Sequence, residues 1–282
     1  MAVQSPAEVH IFDSAASEAV RMDELVGYCE GLLPPFRIVR HQDFFIFCAG
    51  GVEGAGVSAF KDRVAGRLAA SRVGRPSGPA GEVNPLPGVV DYERRMLDRE
   101  PPRPIGALYD GYDLCRAYAE ILDWSGRRLE GWTIVITNQL LGTLEQHDAR
   151  YHAKVSIYGH PCLISTTGLV EAPARPRDYY LARGLGLHAG RARGGADDFL
   201  ERDDPRTTEA LKGYLAQAFF YHLVGEPFCE DASCRLYNAH WQAELIGAQL
   251  GANPGLCGRH RRMLGEILKE SAACGNAKCI KP

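Results

Sequence analysis

Short apolar runs alternate with segments of helical spacing over the first two thirds of the chain. Runs rich in β-branched and aromatic residues are typical of strands, and they cover Glu8–Asp13, Phe36–Ala49, Trp132–Leu140, a run that ends near Tyr158, and Cys162–Thr167. Apolar residues three and four apart are typical of helices, and they cover Ser17–Leu33, Lys61–Val73, Asp91–Glu100 and Tyr112–Trp124. This order predicts an α/β or α+β protein with a mixed sheet and flanking helices.

The last third carries helical spacing alone. It predicts helices over Pro205–Gly225 and Asn238–Leu250 and a third that begins near Leu256. Thr207 or Thr208 is expected to cap the first helix, and Asn238 the second, because short polar side chains accept hydrogen bonds from the first helical N–H groups. A helical C-terminal part is therefore expected to follow the sheet.

The pattern predicts one domain over residues 1–282. Within it we expect an N-terminal β-α-β part (1–73), a Pro/Gly-rich loop (74–88), a central sheet part (89–200) and a helical part (205–270). The sequence shows no internal repeat.

Composition narrows the class of protein. The chain is 45% hydrophobic and 24% charged with a net charge of −3, so it offers no basic field for nucleic acid. No apolar run reaches transmembrane length, and the N-terminus lacks the pattern of a signal peptide. Nine cysteines without a secretion signal indicate reduced thiols and metal binding. We expect a cytoplasmic protein that binds neither nucleic acid nor membrane.

Four metal-ligand residues lie close together in the helical part. Cys229 and Cys234 form a C-x4-C pair, and Cys257 and His260 form a C-x2-H pair further on. Two short-spaced pairs from two segments are what a tetrahedral zinc site requires, so the spacing predicts a structural zinc ion. The alternative is that the cysteines are buried as small apolar residues. Cys274 and Cys279 repeat the first spacing near the C-terminus.

Two His/Glu pairs flank these residues and are candidates for catalysis. His222 precedes Glu226 by four residues, and His240 precedes Glu244 by four. On helices each pair would project from one face, which suits a second, open metal site or an acid/base site. The alternative is a local ion pair on an exposed helix face.

His147, Asp148 and His152 are a further candidate group. They fall where a loop enters a strand, so they could contact a metal ion or simply be solvated.

Around the cysteines the chain resembles the archaemetzincins, a branch of the metzincin zinc peptidases. Their signature is a helix with HExxHxxGxxH, followed by a C-x4-C pair, a Met-turn and a C-x2-C pair. His222 matches the second zinc histidine and Gly225 the glycine of that signature. The four Cys/His residues match the two later pairs, and Leu236 stands at the Met-turn methionine. The strands Trp132–Leu140 and Ile164–Leu169 resemble the central strands of the family. The whole chain also resembles an uncharacterised family described as metallopeptidases.

The chain departs from that signature at the groups that carry the chemistry. Ala218 replaces the first zinc histidine, Phe219 the general-base glutamate and Phe228 the third histidine. A hydrolytic zinc site needs three protein ligands and a carboxylate that activates water. The resemblance therefore implies ancestry and leaves the activity open.

Three hypotheses follow from the sequence. In the first, the protein is a metal-dependent hydrolase acting on a peptide or small molecule. Its rebuilt site would use His222, Glu226, His240 and Glu244, with His147 or His152 and a possible second metal ion. In the second, it is an inactive relative that binds a peptide or protein partner, for example by adding a strand to a sheet edge. The third is a non-hydrolytic enzyme that uses His222 and Glu226 as an acid/base pair without metal.

Overall fold

The computed structural model describes residues 8–54, 56–74, 84–99, 106–185 and 199–273. Most of the predicted loop over 74–88 lies outside the described residues, as do Cys274 and Cys279.

The described residues form helices and strands in the order expected of a mixed α/β protein. The strands are β1 (Glu8–Ser14), β2 (Arg37–His41), β3 (Leu108–Asp110), β4 (Trp132–Thr137), β5 (Leu140–Glu145), β6 (Arg150–Lys154), β7 (Ser156–Ile157) and β8 (Cys162–Ser165). The helices are α1 (Met22–Leu32), α2 (Phe44–Ala49), α3 (Gly56–Ala70), α4 (Pro87–Leu97), α5 (Gly111–Trp124), α6 (Thr166–Glu171), α7 (Arg177–Gly184), α8 (Thr207–Val224), α9 (Gln242–Leu250) and α10 (Gly258–Ala273). The predicted fold class is confirmed.

Two sheets carry the strands. The larger has the order β2-β1-β4-β8-β7, in which β4 is parallel to β1 and β8, and β7 is antiparallel to β8. The smaller has the order β3-β5-β6, with β5 parallel to β3 and antiparallel to β6. Parallel pairs need a crossover connection, and the chain between the parallel strands β3 and β5 runs through α5 and β4. The larger sheet is therefore mixed, as expected.

The chain folds into two compact units that interleave in sequence. One contains Ser17–Arg37 and Leu169 onward, and the other contains Glu8–Ala16 and Ile38–Gly168. The first unit holds α1 and the C-terminal helices, and the second holds most of both sheets. The N-terminal part expected over 1–73 is divided between the units. The single domain over 1–282 stays a prediction.

One predicted strand is a helix. The segment FFIFCA was expected to continue the strand before it, but it forms α2. Asp43 accepts hydrogen bonds from the N–H groups of Phe45 and Ile46, at 2.8 and 2.9 Å, and so caps the helix. Phe44 and Cys48, four residues apart, face the core while Ile46 is exposed. An unbroken apolar run does not distinguish helix from strand, and here the capping hydrogen bonds to Asp43 favour the helix.

Two further segments also differ from prediction. The strand expected over Trp132–Leu140 ends at Thr137, and Leu140–Glu145 forms a separate strand, β5, because β3 and β6 pair with it on either side. The strand expected over Cys162–Thr167 ends at Ser165, where α6 begins.

The expected helix caps are wrong at both positions. Thr208 lies inside α8, where its hydroxyl donates to the carbonyl of Ala19 and accepts from the N–H of Arg21, at 2.6 and 2.8 Å. Asn238 precedes α9 by several residues, and Trp241 is the residue before that helix. The Thr208 hydroxyl therefore bonds to the segment before α1 and does not cap α8.

Candidate metal centre

The two predicted ligand pairs meet in the unit that contains α8. The candidate ligand atoms of Cys229, Cys234, Cys257 and His260 all lie within 4.8 Å of one another. The two sulfurs of Cys229 and Cys257 are 4.0 Å apart, and His260 Nδ1 lies 3.8 Å from the Cys234 sulfur and 3.1 Å from that of Cys257. A zinc tetrahedron with ordinary bond lengths separates its ligand atoms by about 3.5–3.8 Å.

A tight turn brings the first pair together. The carboxylate of Asp231 accepts hydrogen bonds from the backbone and hydroxyl of Ser233, at 2.9 and 2.7 Å. The Cys234 N–H donates to the Asp231 carbonyl at 2.9 Å, and the Cys229 N–H donates to the Leu236 carbonyl at 2.8 Å. These bonds fold the chain back so that both thiols face the same space.

The second pair is held against that turn. The N–H of Arg235 donates to the carbonyl of Gly255 at 2.9 Å, which aligns the two segments. The N–H of Cys257 donates to the Cys234 sulfur at 3.3 Å, and that of Asp231 to the Cys229 sulfur at 3.4 Å. Such N–H···S bonds orient metal-bound thiolates. Helix α10 begins directly after Cys257 and places His260 in its first turn.

Two side chains of α8 contact the same turn and the His260 ring. The Gln217 amide donates to the Tyr237 carbonyl at 3.1 Å, and the ring of Phe220 meets the His260 ring edge to face at 5.3 Å. Leu236, at the Met-turn position, is fully buried. We call residues 229–237 and 255–260 the knuckle; it rests on a buried face of α8.

The protonation of the four groups suits a metal site that releases protons on binding. Burial raises the pKa of Cys234 to about 12, and burial and the neighbouring Cys257 thiol raise that of Cys229. Burial opposes ionisation of Cys257, but backbone N–H groups at the start of α10 and the nearby thiols lower its pKa. Burial and Arg259 lower the pKa of His260, which favours the neutral imidazole that binds metal.

The donor set fits zinc. Three sulfurs and one imidazole nitrogen complete a tetrahedron with no position left for water, which is the pattern of a structural site. The four residues would hold the ion, and the ion would supply folding free energy.

His222 and Glu226 do not share a helix face. His222 is buried in the last turn of α8, and Gly225 ends the helix in the left-handed conformation at φ 75°. Glu226 lies beyond that end, is exposed, and comes within 3.8 Å of the exposed Arg259. The i,i+4 geometry that motivated this pair therefore does not apply.

In the second pair, His240 and Glu244, the glutamate has a structural role. His240 is exposed and precedes α9. The Glu244 carboxylate accepts hydrogen bonds from the backbone N–H groups of His240 and Trp241, at 2.8 and 3.0 Å. Glu244 thus satisfies N–H groups at the start of α9, as a capping glutamate does.

His147, Asp148 and His152 do come together, in the other unit. They lie at the exposed tip of the β5–β6 hairpin, where His152 Nε2 is 2.8 Å and His147 Nε2 3.9 Å from the Asp148 carboxylate. This contact lowers the pKa of Asp148. Throughout the part of the chain that the structure describes, however, the knuckle is the one group of three or more such residues placed to hold a metal ion. The catalytic roles of the His/Glu pairs and the second metal ion stay predictions.

A cavity of about 360 Å³ in the unit that holds both sheets was missed by sequence reasoning. Asp43, which lines it, falls within the run Phe36–Ala49 that the sequence predicts to be strand. An aspartate directly before an apolar run is a helix-start signal, and that signal could have located both α2 and the cavity wall.

Among the described residues, the helices are too short or too polar to cross a membrane.

Comparison with known proteins gives one match. No curated protein and no solved structure matches the chain. A family model described as "Probable metallopeptidase family (DUF6775)" matches residues 5–267, which is nearly the whole chain. The chain therefore belongs to this probable metallopeptidase family.

Proposed function

We propose that this protein is a zinc-stabilised member of its metallopeptidase family that binds an extended peptide or protein partner without hydrolysing it. The zinc ion, held by Cys229, Cys234, Cys257 and His260, would fix the knuckle and support α8. The observation that supports the zinc site is that the four candidate ligand atoms lie within 4.8 Å of one another, close enough for tetrahedral coordination of one ion.

The environment of α8 supports the absence of a second, hydrolytic zinc ion on that helix. Ala218 and Phe219, at the positions of a zinc histidine and the general base in metzincins, are fully buried in the core. Phe228, at the third histidine position, is 44% exposed. A methyl group and two phenyl rings offer neither metal ligands nor a base.

The edges of the larger sheet support a peptide partner. Strands β2 and β7 are its two edge strands. An edge strand can accept a further strand through backbone hydrogen bonds, which is a recurrent way to bind an extended peptide.

The second candidate is the hydrolase with a rebuilt site. Family membership favours it, and so does the retention of His222 at a zinc-histidine position. In that case His222 and acidic partners would bind a second metal ion that activates water.

Metal content separates the two candidates. We expect purified protein to contain about one zinc ion per chain, and His222→Ala to leave that content unchanged. We expect Cys229→Ser to lose the ion and to unfold at lower temperature, whereas Cys29→Ala, a buried cysteine outside the knuckle, should keep it.

Incubation with a mixture of unstructured peptides, followed by mass spectrometry, tests turnover. We expect peptides to be retained by the protein and no new cleavage products to form. Two zinc ions per chain, one of them lost in His222→Ala together with a cleavage activity, would establish the hydrolase instead.

A further inference from the structure

The cavity missed from the sequence lies in the unit that holds both sheets, where ligands of α/β proteins commonly bind. Ser14 and Thr137 are the last residues of the parallel strands β1 and β4, and both line it. Asn138 and Gln139, which follow β4, line it too. The carboxyl ends of parallel strands form the usual binding crevice of such sheets, and a volume of about 360 Å³ is within the range of small-molecule sites.

The walls of the cavity are mostly apolar. Helices α2, α3 and α4 contribute them, and they include Phe45, Val57, Phe60, Val64, Leu68 and Leu97. Such walls favour a ligand with a hydrocarbon or aromatic body, because apolar surface gains free energy on leaving water.

Most charged side chains of the lining already have an ionic partner. Lys61 donates to Asp98 at 2.7 Å, and Glu93 accepts from Arg72 and from the Tyr109 hydroxyl, at 2.5 and 2.7 Å. Arg99 is exposed. These groups leave Asp43 as the carboxylate of the lining that has no cation beside it among the described residues.

The Asp43 carboxylate accepts hydrogen bonds from neutral groups. Its Oδ1 accepts the N–H groups of Phe45 and Ile46, and the hydroxyl of Ser14 also bonds to the carboxylate. Burial raises the pKa of Asp43, and these hydrogen bonds oppose that increase. Asp13 lies near enough that burial and, to a smaller extent, the charge of Asp43 raise its pKa as well.

The Asp13 carboxylate adds an unsatisfied atom. Its Oδ1 is buried and has no hydrogen-bond partner among the described residues. Arg40 offsets part of its charge. Asp13 lies outside the cavity lining, whereas the Asp43 carboxylate lines the cavity and would stabilise a cationic group placed beside it.

We propose that this cavity binds a ligand that joins an apolar body to an ammonium group, with the ammonium paired to Asp43. The source of this chemistry is either a free apolar amine or a peptide N-terminus with an apolar first side chain. The inference does not depend on the proposed function, because it rests on the cavity and uses neither the knuckle nor the edge strands of the larger sheet.

Two probes with the same phenylethyl body and opposite charges test the proposal on the full chain. We expect 2-phenylethylamine to bind with a dissociation constant of about 1 mM or lower, as is reasonable for so small a ligand. We expect 3-phenylpropionate to bind at least about tenfold more weakly, because its carboxylate would face Asp43. Titration followed by NMR measures both. Equal binding of the two probes, or binding of neither, would overturn the proposal.

Asp43→Asn is the sharpest variant. Asparagine has the same shape and also caps helices, so α2 should persist while the charge is removed. We expect the amine to bind about tenfold more weakly, and circular dichroism to be unchanged. Glu53→Gln, which removes an exposed carboxylate outside the cavity lining, should leave binding unchanged. An unchanged affinity in Asp43→Asn would remove Asp43 from the site.

A second variant and a second ligand complete the test. Val57→Trp should fill the cavity and abolish binding, and amine binding that survives it would place the ligand elsewhere. The tripeptide Phe-Ala-Ala, compared with its N-acetylated form, distinguishes the sources. Tighter binding of the free tripeptide than of 2-phenylethylamine assigns the site to peptide N-termini, and the reverse order assigns it to free amines.

Discussion

The buried guanidinium of Arg235 donates hydrogen bonds to both the carboxylate and the backbone carbonyl oxygen of Glu209, 26 residues earlier in the chain. Arg235 lies in the knuckle between Cys234 and Leu236, and Glu209 lies in the first turn of α8. The Arg235 carbonyl also accepts from the Gln249 amide of α9 at 2.9 Å. One residue thus joins the knuckle to two helices.

Arg235→Met is expected to lower the free energy of unfolding by about 2 kcal/mol, because it leaves the Glu209 carboxylate without its buried partner. Lys212, 2.5 Å from Glu209, limits the loss. Zinc affinity should fall too, since the knuckle loses its attachment. Chemical denaturation and zinc titration measure these effects. Arg116→Met, which removes a 67% exposed arginine, should change stability by less than about 0.5 kcal/mol.

Glu244→Ala is expected to cost about 1 kcal/mol, because two N–H groups at the start of α9 lose their acceptor. Glu244→Gln should restore most of that stability, since its amide oxygen can accept the same bonds. Thermal melting of both variants measures the difference. Full stability in Glu244→Ala, combined with a loss of bound metal, would instead support the predicted ligand role of Glu244.

Gly213→Ala should destabilise the protein by about 1–2 kcal/mol, although alanine favours a helix by about 1 kcal/mol over glycine. A Cβ atom at Gly213 would lie 1.8 Å from Oε1 of Gln249. Gln249 is buried, and its hydrogen bond to Arg235 holds it in place.

Gly66→Ala is the matched control within α3. A Cβ at Gly66 meets no atom within 4 Å, so this change should raise stability by up to about 1 kcal/mol. Denaturant midpoints of the two variants should therefore shift in opposite directions.

Acid should destabilise the protein partly through Asp113. Burial opposes its ionisation, but hydrogen bonds from Arg67 and Ser71 hold its pKa below the ordinary value of 3.8. Since the folded pKa is depressed, the stabilisation is present above pH 3.8 and is lost as the pH falls through the folded pKa.

Asp113→Asn should accordingly lower the free energy of unfolding by about 2 kcal/mol at pH 7. The difference from the natural protein should shrink below about pH 4. Urea unfolding across pH 3 to 7 measures both curves. A difference that stays constant with pH would show that the effect is steric rather than ionic.

The sequence by itself determined the fold class and the four residues of the candidate metal centre. The spacing of apolar residues shows which face of an element is buried, as in α5, where Leu114, Tyr118 and Ile121 are buried. The ligands Cys229, Cys234, Cys257 and His260 could be identified because short spacings constrain where two side chains can point, whatever the rest of the chain does.

Only the tertiary structure decided what depends on contacts between distant residues. It made β5 a strand through its two neighbours. It also gathered Asp43, α3 and α4 around a cavity. No local pattern contains these outcomes, because each arises from residues far apart in the chain competing for the same hydrogen bonds and the same space.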